Sequence, residues 1–170
     1  MKQTPAELKS MMDHFKDVIR NSGVKLTQQR IEIFRELART GEHPTIETVY
    51  GRVRRRMPTV SLDTVYRTLD LFKGLGLVST LRPLHDRIRF DANRTSHHHF
   101  ICTRCGIIRD FYDQALDRLD IPASANRLGR VESTHVELRG LCARCSSGKT
   151  ENGTNGTRSH RIERNPSRRD

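Results

Sequence analysis

Apolar residues recur at helical spacing four times in the first half of the chain, and a capping residue stands in front of each run. Thr4-Pro5-Ala6-Glu7 joins a capping Thr, a Pro at the first helical position and a Glu placed to close a capping box. Behind it Leu8, Met11, Met12, Phe15 and Ile19 form one stripe, so a helix is predicted to about Asn21, ended by Ser22-Gly23. Thr27 caps a second helix with Ile31, Phe34, Leu37 and Ala38 on one face, closed by Gly41. Thr45 caps a third with Ile46, Val49, Tyr50 and Val53, running into Arg54-Arg55-Arg56 and stopped by Met57-Pro58. Ser61 caps a fourth with Val65, Leu69 and Phe72 inward, ending at Gly74 and Gly76.

The period then changes. Leu77–Arg82 and Arg87–Asp91 read as two short extended runs around Pro83-Leu84-His85-Asp86, a hairpin. Helices followed by a basic hairpin predict a winged helix-turn-helix over residues 1–91, with the third and fourth helices as its core pair. In that arrangement Ser61 caps the helix that enters the major groove. Thr64 lies near the groove, and Tyr66 and Arg67 reach base edges or phosphate. Arg52, Arg54, Arg55 and Arg56 face the backbone. A compact helical domain without a nucleic-acid partner shows the same periodicity.

Residues 92–96, polar apart from Ala92, form a predicted hinge. Strands are expected at His98–Cys102, Ile107–Phe111 and Val131–Leu138, with a short helix at Gln114–Leu119, so residues 97–146 make a second, small α+β domain. Residues 147–170 are rich in Gly, Ser, Thr, Asn and Arg and are expected to be a disordered basic tail. The fold class is therefore α+β.

Charge sharpens this division. The chain of 170 residues carries a net +11. Residues 1–90 contribute +7, residues 91–145 contribute +1 and the remainder +3. A basic first half points to a polyanion. Only 34% of residues are hydrophobic, no apolar run reaches the roughly 20 residues of a membrane span, and no signal-peptide pattern opens the chain. A cytoplasmic protein is expected.

All four cysteines lie in two C-x-x-C pairs, Cys102/Cys105 and Cys142/Cys145, each beside a strand end and a glycine. Two such knuckles place four thiolates around one Zn²⁺, a closed and therefore structural site. A thiol redox pair is the other use of this spacing. The histidines of interest are His43, the triplet His97-His98-His99, and His135. On a strand His97 and His99 share a face and His98 points away. Asp91 and Asp110 lie close by in sequence. Imidazoles plus carboxylates without thiolate suit Fe²⁺, Mn²⁺ or Zn²⁺. A solvated polar surface, or a non-haem iron enzyme, would use the same residue types.

The chain resembles the ferric uptake regulator family. The matching pieces, in the family's order, are Leu26 to Arg30 (LTQQR), His43-Pro44-Thr45, Ser61 to Arg67 (SLDTVYR), Arg89-Phe90-Asp91, His97 to Gly106 (HHHFICTRCG) and Gly140 to Cys145 (GLCARC). The resemblance implies a dimeric, metal-dependent transcriptional repressor rather than an enzyme. Its winged helix would bind double-stranded, palindromic operator DNA, and its C-terminal domain would dimerise. One structural Zn²⁺ per subunit is implied at Cys102, Cys105, Cys142 and Cys145. One regulatory Fe²⁺ or Mn²⁺ is implied at His43, Asp91, His97, His99 and Asp110. A further family site would use His98, Asp117 and His135 with Ser96, where iron regulators often carry Asp at the position of His98 and His at that of Ser96.

Within the family, zinc-uptake regulators usually place Cys near position 91, and iron-uptake regulators usually carry Glu where this chain has Asp110. The peroxide-responsive repressor branch carries Asp there. The resemblance thus implies peroxide sensing by iron-catalysed oxidation of a ligand histidine, His43 or His97. Peroxide would be a signal, with no membrane partner and no other small-molecule substrate. The alternative within the family is an iron- or manganese-responsive uptake regulator that does not sense peroxide.

Overall fold

The computed structural model describes residues 3–83, 87–131 and 134–148; the expected tail from 149 onward lies outside them. Four helices come first: α1 (Pro5–Asn21), α2 (Gln28–Ala38), α3 (Ile46–Arg54) and α4 (Leu62–Gly74). Each begins as the capping residues dictate. Thr4 and Glu7 form the reciprocal capping box, and Thr27, Thr45 and Ser61 each accept a hydrogen bond from the backbone N–H three residues on.

The helices are held by an aromatic centre. Phe15 stacks on Phe34 with ring centroids 4.4 Å apart, and Phe72 meets both edge-on at 5.4 and 5.8 Å. All three rings are buried, surrounded by Ile19, Ile33, Val49, Val53, Val65 and Leu69. Polar pairing closes the seam between α2 and the end of α3. Arg56 bonds Glu32 at 3.1 Å and Glu36 at 2.5 Å, and Arg52 lies 3.6 Å from Glu36. Both glutamates are buried, and the two arginines serve them as counter-ions from the surface, Arg52 also pairing with Glu42 at 2.8 Å.

The wing is shorter than its sequence suggests. β1 (Ser79–Leu81) pairs antiparallel with β2 (Arg89–Asp91); residues 84–86 of the expected turn lie outside the described ones. Leu77 and Val78 do not join the strand because the end of α4 claims them. Gly76 takes φ +65°, its N–H bonds the Lys73 carbonyl, and the Leu77 N–H bonds the Phe72 carbonyl, a Schellman closure that buries Leu77.

A second sheet has the order β4-β3-β5, built from β3 (His98–Cys102), β4 (Ile108–Phe111) and β5 (Glu137–Gly140), with one-turn helices α5 (Gln114–Asp117), α6 (Ala123–Asn126) and α7 (Ala143–Ser146). Of the strand expected at Val131–Leu138, only Glu137 and Leu138 are in a strand among the described residues, with residues 132–133 outside them. β3 is five residues long and offers β5 partners only from His99 to Cys102, so pairing runs from Glu137 to Gly140. Val131 is left exposed outside any strand. The pairing is parallel, whereas β3 and β4 are antiparallel with His99 opposite Asp110. The expected helix at Gln114–Leu119 stops at Asp117, and α6 and α7 had no sequence signal strong enough to anticipate.

The second sheet has little core of its own: among the described residues Ile101 and Ile108 form a small buried cluster with Leu81 of β1. Substituting Phe72→Ala should destabilise the helical half by about 3–5 kcal/mol, since two aromatic contacts lose their partner and a cavity opens. Denaturant unfolding followed by circular dichroism reads this directly, and a midpoint equal to the parent's contradicts the assignment of the centre.

Candidate metal centres

The parallel pairing of β3 and β5 decides the cysteine geometry. Both strands run toward their knuckles, and the register sets Cys102 beside Gly140, two residues before Cys142. The four sulfurs lie within 4.8 Å of one another, with Cys105 Sγ and Cys142 Sγ 3.8 Å apart. A tetrahedron with Zn–S bonds of about 2.3 Å has edges of about 3.8 Å. Two hydrogen bonds clamp the knuckles together: the Thr103 N–H donates to the Gly140 carbonyl at 2.8 Å, and the Arg104 guanidinium donates to the Cys145 carbonyl at 2.6 Å. Gly106 holds φ +67° at the exit of the first knuckle.

Without a cation the four thiols compete. Burial alone would raise Cys102, but the backbone N–H groups of Cys142, Cys105 and Arg104 outweigh it and bring its pKa down to about 6. Cys145 is pushed up to about 12 by burial and by its three sulfur neighbours. One thiolate therefore forms readily and the last only with difficulty, a donor set that a dication completes.

The second centre joins the two halves of the molecule. His43 stands before α3 and takes φ +50°, the left-handed region that a side chain enters only under constraint. It is held there by its burial, 2% exposed, and by docking of the wing. The Phe90 N–H bonds the Pro44 carbonyl at 3.0 Å, placing the end of β2 beside this loop. Asp91 ends β2, and His97 and His99 come from the start of β3. One ligand atom from each of His43, Asp91, His97 and His99 lies within 4.8 Å of the others. Asp110 enters from β4, with Oδ1 3.0 Å from His43 Nε2 and 3.7 Å from His99 Nε2.

These groups converge without satisfying one another. His43 Nδ1 and Nε2, His99 Nδ1 and Asp110 Oδ1 are buried and have no aligned hydrogen-bond partner. His97 Nε2 and His99 Nε2 meet at 2.9 Å. Lone pairs of three imidazoles and two carboxylates aimed at one point fit a divalent cation better than they fit each other. In the metal-free state the cluster is held by protonation. Burial opposes the charged form of His97, but Asp91 at 3.0 Å and the Thr95 carbonyl raise its pKa to about 9. Burial likewise opposes ionisation of Asp91, and hydrogen bonds from His97, His99 and the Asn93 N–H hold it well below the usual carboxylate range.

The structure brings Ser96, His98 and Asp117 together, but not His135. Ser96 Oγ bonds Asp117 Oδ1 at 2.5 Å, and His98 Nε2 lies 3.4 Å from the same oxygen. His98 is fully buried and its Nδ1 accepts from the Val136 N–H, while His135 is exposed, its ring 6.5 Å from that of His99. On the helical half, Tyr66 and Arg67 stand exposed on α4, and Arg67 pairs with Asp63 at 3.0 Å. Thr64 is half-buried, and Ser61 spends its hydroxyl on Thr64 as a helix cap. Arg54 and Arg55 are exposed at the end of α3, Arg54 over the Tyr50 ring at 5.6 Å, whereas Arg52 and Arg56 are paired with the buried glutamates of α2.

Sequence reading missed Asn93. It stands among the five ligands' supports, donating from its backbone to Asp91 and from its side chain to Asp110. The Asp-Ala-Asn run carried only a turn signal.

A winged-helix half and a small sheet half, sharing one His/Asp centre and carrying a separate four-cysteine centre, define a two-domain metalloprotein of the winged-helix class. The chain belongs to the ferric uptake regulator family, whose model matches residues 21–139. It is 34% identical over 145 residues to the peroxide-responsive repressor PerR of Staphylococcus epidermidis, which covers 82% of this chain and 95% of that protein. Among solved structures, the ferric uptake regulator Fur of Helicobacter pylori superposes with a TM-score of 0.67 at 24% identity, covering 88% of this chain and 99% of that one. The Campylobacter jejuni peroxide stress regulator does so with 0.60 at 26% identity, covering 79% and 98%.

Two outcomes are expected. Cys145→Ser should lose zinc measured by mass spectrometry and, with it, the protection of β3 and β5 amides in hydrogen exchange, because the sheet's core is too small to stand alone. A zinc-free chain with a protected sheet contradicts this. Occupation of the His/Asp centre should release the His97 proton at neutral pH, and that release should fade above about pH 9. In the metal-free protein the stabilisation from protonated His97 is complete below the ordinary histidine range and is lost as pH rises through about 9. Calorimetry in buffers of different ionisation enthalpy counts the protons; no release near pH 7 places the proton elsewhere.

Proposed function

We propose that this protein is a cytoplasmic, metal-dependent transcriptional repressor that binds operator DNA as a homodimer and is inactivated by peroxide; it is a regulator and not an enzyme. One observation carries the reading: three histidines and two aspartates converge from both halves of the molecule, with no cysteine among them. Relatives named for the peroxide response, at 34% identity in Staphylococcus epidermidis and 26% in Campylobacter jejuni, support it.

His43 belongs to the loop before α3, whereas His97 directly precedes β3 and His99 and Asp110 belong to the sheet. Sharing one Fe²⁺ or Mn²⁺ with Asp91, they fix the angle between the DNA-reading half and the dimerising half. In a homodimer that angle sets the spacing of two α4 helices, which must match half-sites on the duplex. Tyr66, Arg67 and Thr64 on α4 read the groove, Ser61 holds the helix start, and Arg54 and Arg55 contact phosphate. Metal and DNA then tighten each other, typically by ~1–3 kcal/mol. When iron is bound it supplies the reduction of peroxide from which one oxygen atom is added to a ligand ring, the remainder of the peroxide leaving as water. By resemblance to the family the oxidised ring is that of His43 or His97; an oxidised ring is a poorer ligand, the two halves come apart and the operator is released. The four cysteines hold structural Zn²⁺ and take no part in the response.

Operator binding should be measured with Fe²⁺ and with Mn²⁺, before and after peroxide, followed by peptide mapping by mass. Release of the iron form alone, with one added oxygen on the His43 or His97 peptide, is expected. Release of both forms with oxygen on cysteine indicates thiol sensing, and retention of the iron form indicates a metal-uptake regulator. Arg67→Ala should weaken operator binding by about 1–3 kcal/mol if it reads a base edge.

A further inference from the structure

Asn93 makes more contacts to the ligand set than any spacing argument suggests, and every polar atom of its side chain is used. Its backbone N–H donates to Asp91 Oδ1 at 2.7 Å. Its Nδ2 donates to Asp110 Oδ2 at 3.1 Å and to Tyr112 Oη at 2.9 Å, and its Oδ1 accepts from the Thr95 N–H at 3.2 Å. The residue therefore sits between the two carboxylates and occupies one oxygen of each. The other oxygen of each is the one turned toward the imidazoles: Asp91 Oδ2 lies 3.0 Å from His97 Nε2, 3.5 Å from His99 Nε2 and 3.9 Å from His43 Nε2, while Asp110 Oδ1 lies 3.0 Å from His43 Nε2.

We infer that Asn93 is a positioning residue that holds Asp91 and Asp110 as one-oxygen ligands, and so fixes the centre at five donors, three nitrogens and two oxygens. The inference rests on the metal-binding reading of this cluster. A carboxylate whose second oxygen is free rotates about its terminal bond to present both oxygens to a cation. The hydrogen bonds from Asn93 oppose that rotation from both sides of the site at once. The Thr95 N–H and Tyr112 hydroxyl fix the amide plane, so Asn93 itself cannot swivel to follow a rotating carboxylate. Thr95 adds a second constraint through its carbonyl, 2.7 Å from His97 Nδ1, which orients that ring with Nε2 toward the cluster. The short connector between β2 and β3 is thus a support for three of the five ligands. Outer hydrogen bonds of this kind usually matter by about 10–100-fold in metal affinity. Here they also set the donor count, and with it whether a coordination position stays open.

Two substitutions separate this role from simple space filling. Asn93→Leu keeps the side chain's size and removes both Nδ2 bonds; Asn93→Ser keeps polarity but is too short to reach Asp110. Both leave the backbone N–H to Asp91 in place. The full chain is prepared with zinc in the four-thiolate centre and titrated with Co²⁺, whose visible bands weaken when coordination rises from five to six. Expected for both variants are weaker bands per bound Co²⁺ than in the parent, and Co²⁺ and Mn²⁺ affinities lowered by about 10–100-fold, with zinc content and thermal unfolding of the helical half unchanged. Tyr112→Phe, which leaves the bond to Asp110 but frees the amide, should fall between parent and variants. Parent-like band intensity and affinity in both variants overturn the role of Asn93 while leaving the metal-binding reading intact. A parent protein that takes up no Co²⁺ beyond its zinc overturns both.

Discussion

The two halves of this molecule meet where His43 approaches Asp110. One lies in the loop before α3 and the other on β4, and their side-chain atoms meet 3.0 Å apart in a region that water barely reaches. Taking an imidazole and a carboxylate out of water is costly unless each finds a partner, and these two are not aligned to satisfy each other. The contact is therefore conditional. It is favourable when protons or a cation balance the cluster and unfavourable otherwise, which makes it a suitable element for a switch.

The remaining structure prepares that contact from both sides. On the helical side the aromatic centre of Phe15, Phe34 and Phe72 makes a rigid body, and the wing strand β2 docks on the His43-Pro44 loop through the Phe90 amide. That docking holds His43 in a backbone conformation it would not adopt alone. On the sheet side, the antiparallel register of β3 and β4 sets His99 opposite Asp110, and the connector from Asp91 to His97 folds back so that Asn93 braces both carboxylates. The four cysteines serve the same end at a distance. With so few buried apolar residues behind it, the sheet needs its knuckles fastened to keep β3 in register with its neighbours.

Charge is used in two distinct ways. The arginines near α3 divide by partner and not by depth: Arg52 and Arg56 neutralise buried Glu36 and Glu32, while Arg54 and Arg55 make no such pair among the described residues. Composition alone counts all four as part of a basic patch. Only burial of the two glutamates, which follows from where α2 packs, shows that half of this patch is already spent on internal pairing.

The local signals were legible because they act over a few residues. A Ser or Thr three positions before an unpaired amide starts a helix whatever surrounds it, and all four long helices begin where such residues stand. The C-x-x-C spacing likewise confines each pair of sulfurs to one tight turn, and alternation along β3 puts His97 and His99 on one face. What the tertiary structure decided are relations between segments far apart in the chain. Parallel pairing of β5 on β3 brings the knuckles to one end, where antiparallel pairing would have separated them. The register of β3 with β5 pairs His99–Cys102 with Glu137–Gly140, later in the chain than the alternation suggested. The Schellman closure of α4 shortened the wing. Asn93 became a brace because a turn residue's hydrogen bonds depend on which carboxylates the fold carries to it. Local sequence chose the candidate His, Asp and Cys residues and most of the elements that bear them; their convergence is a long-range property, set by register and packing that no short window of residues contains.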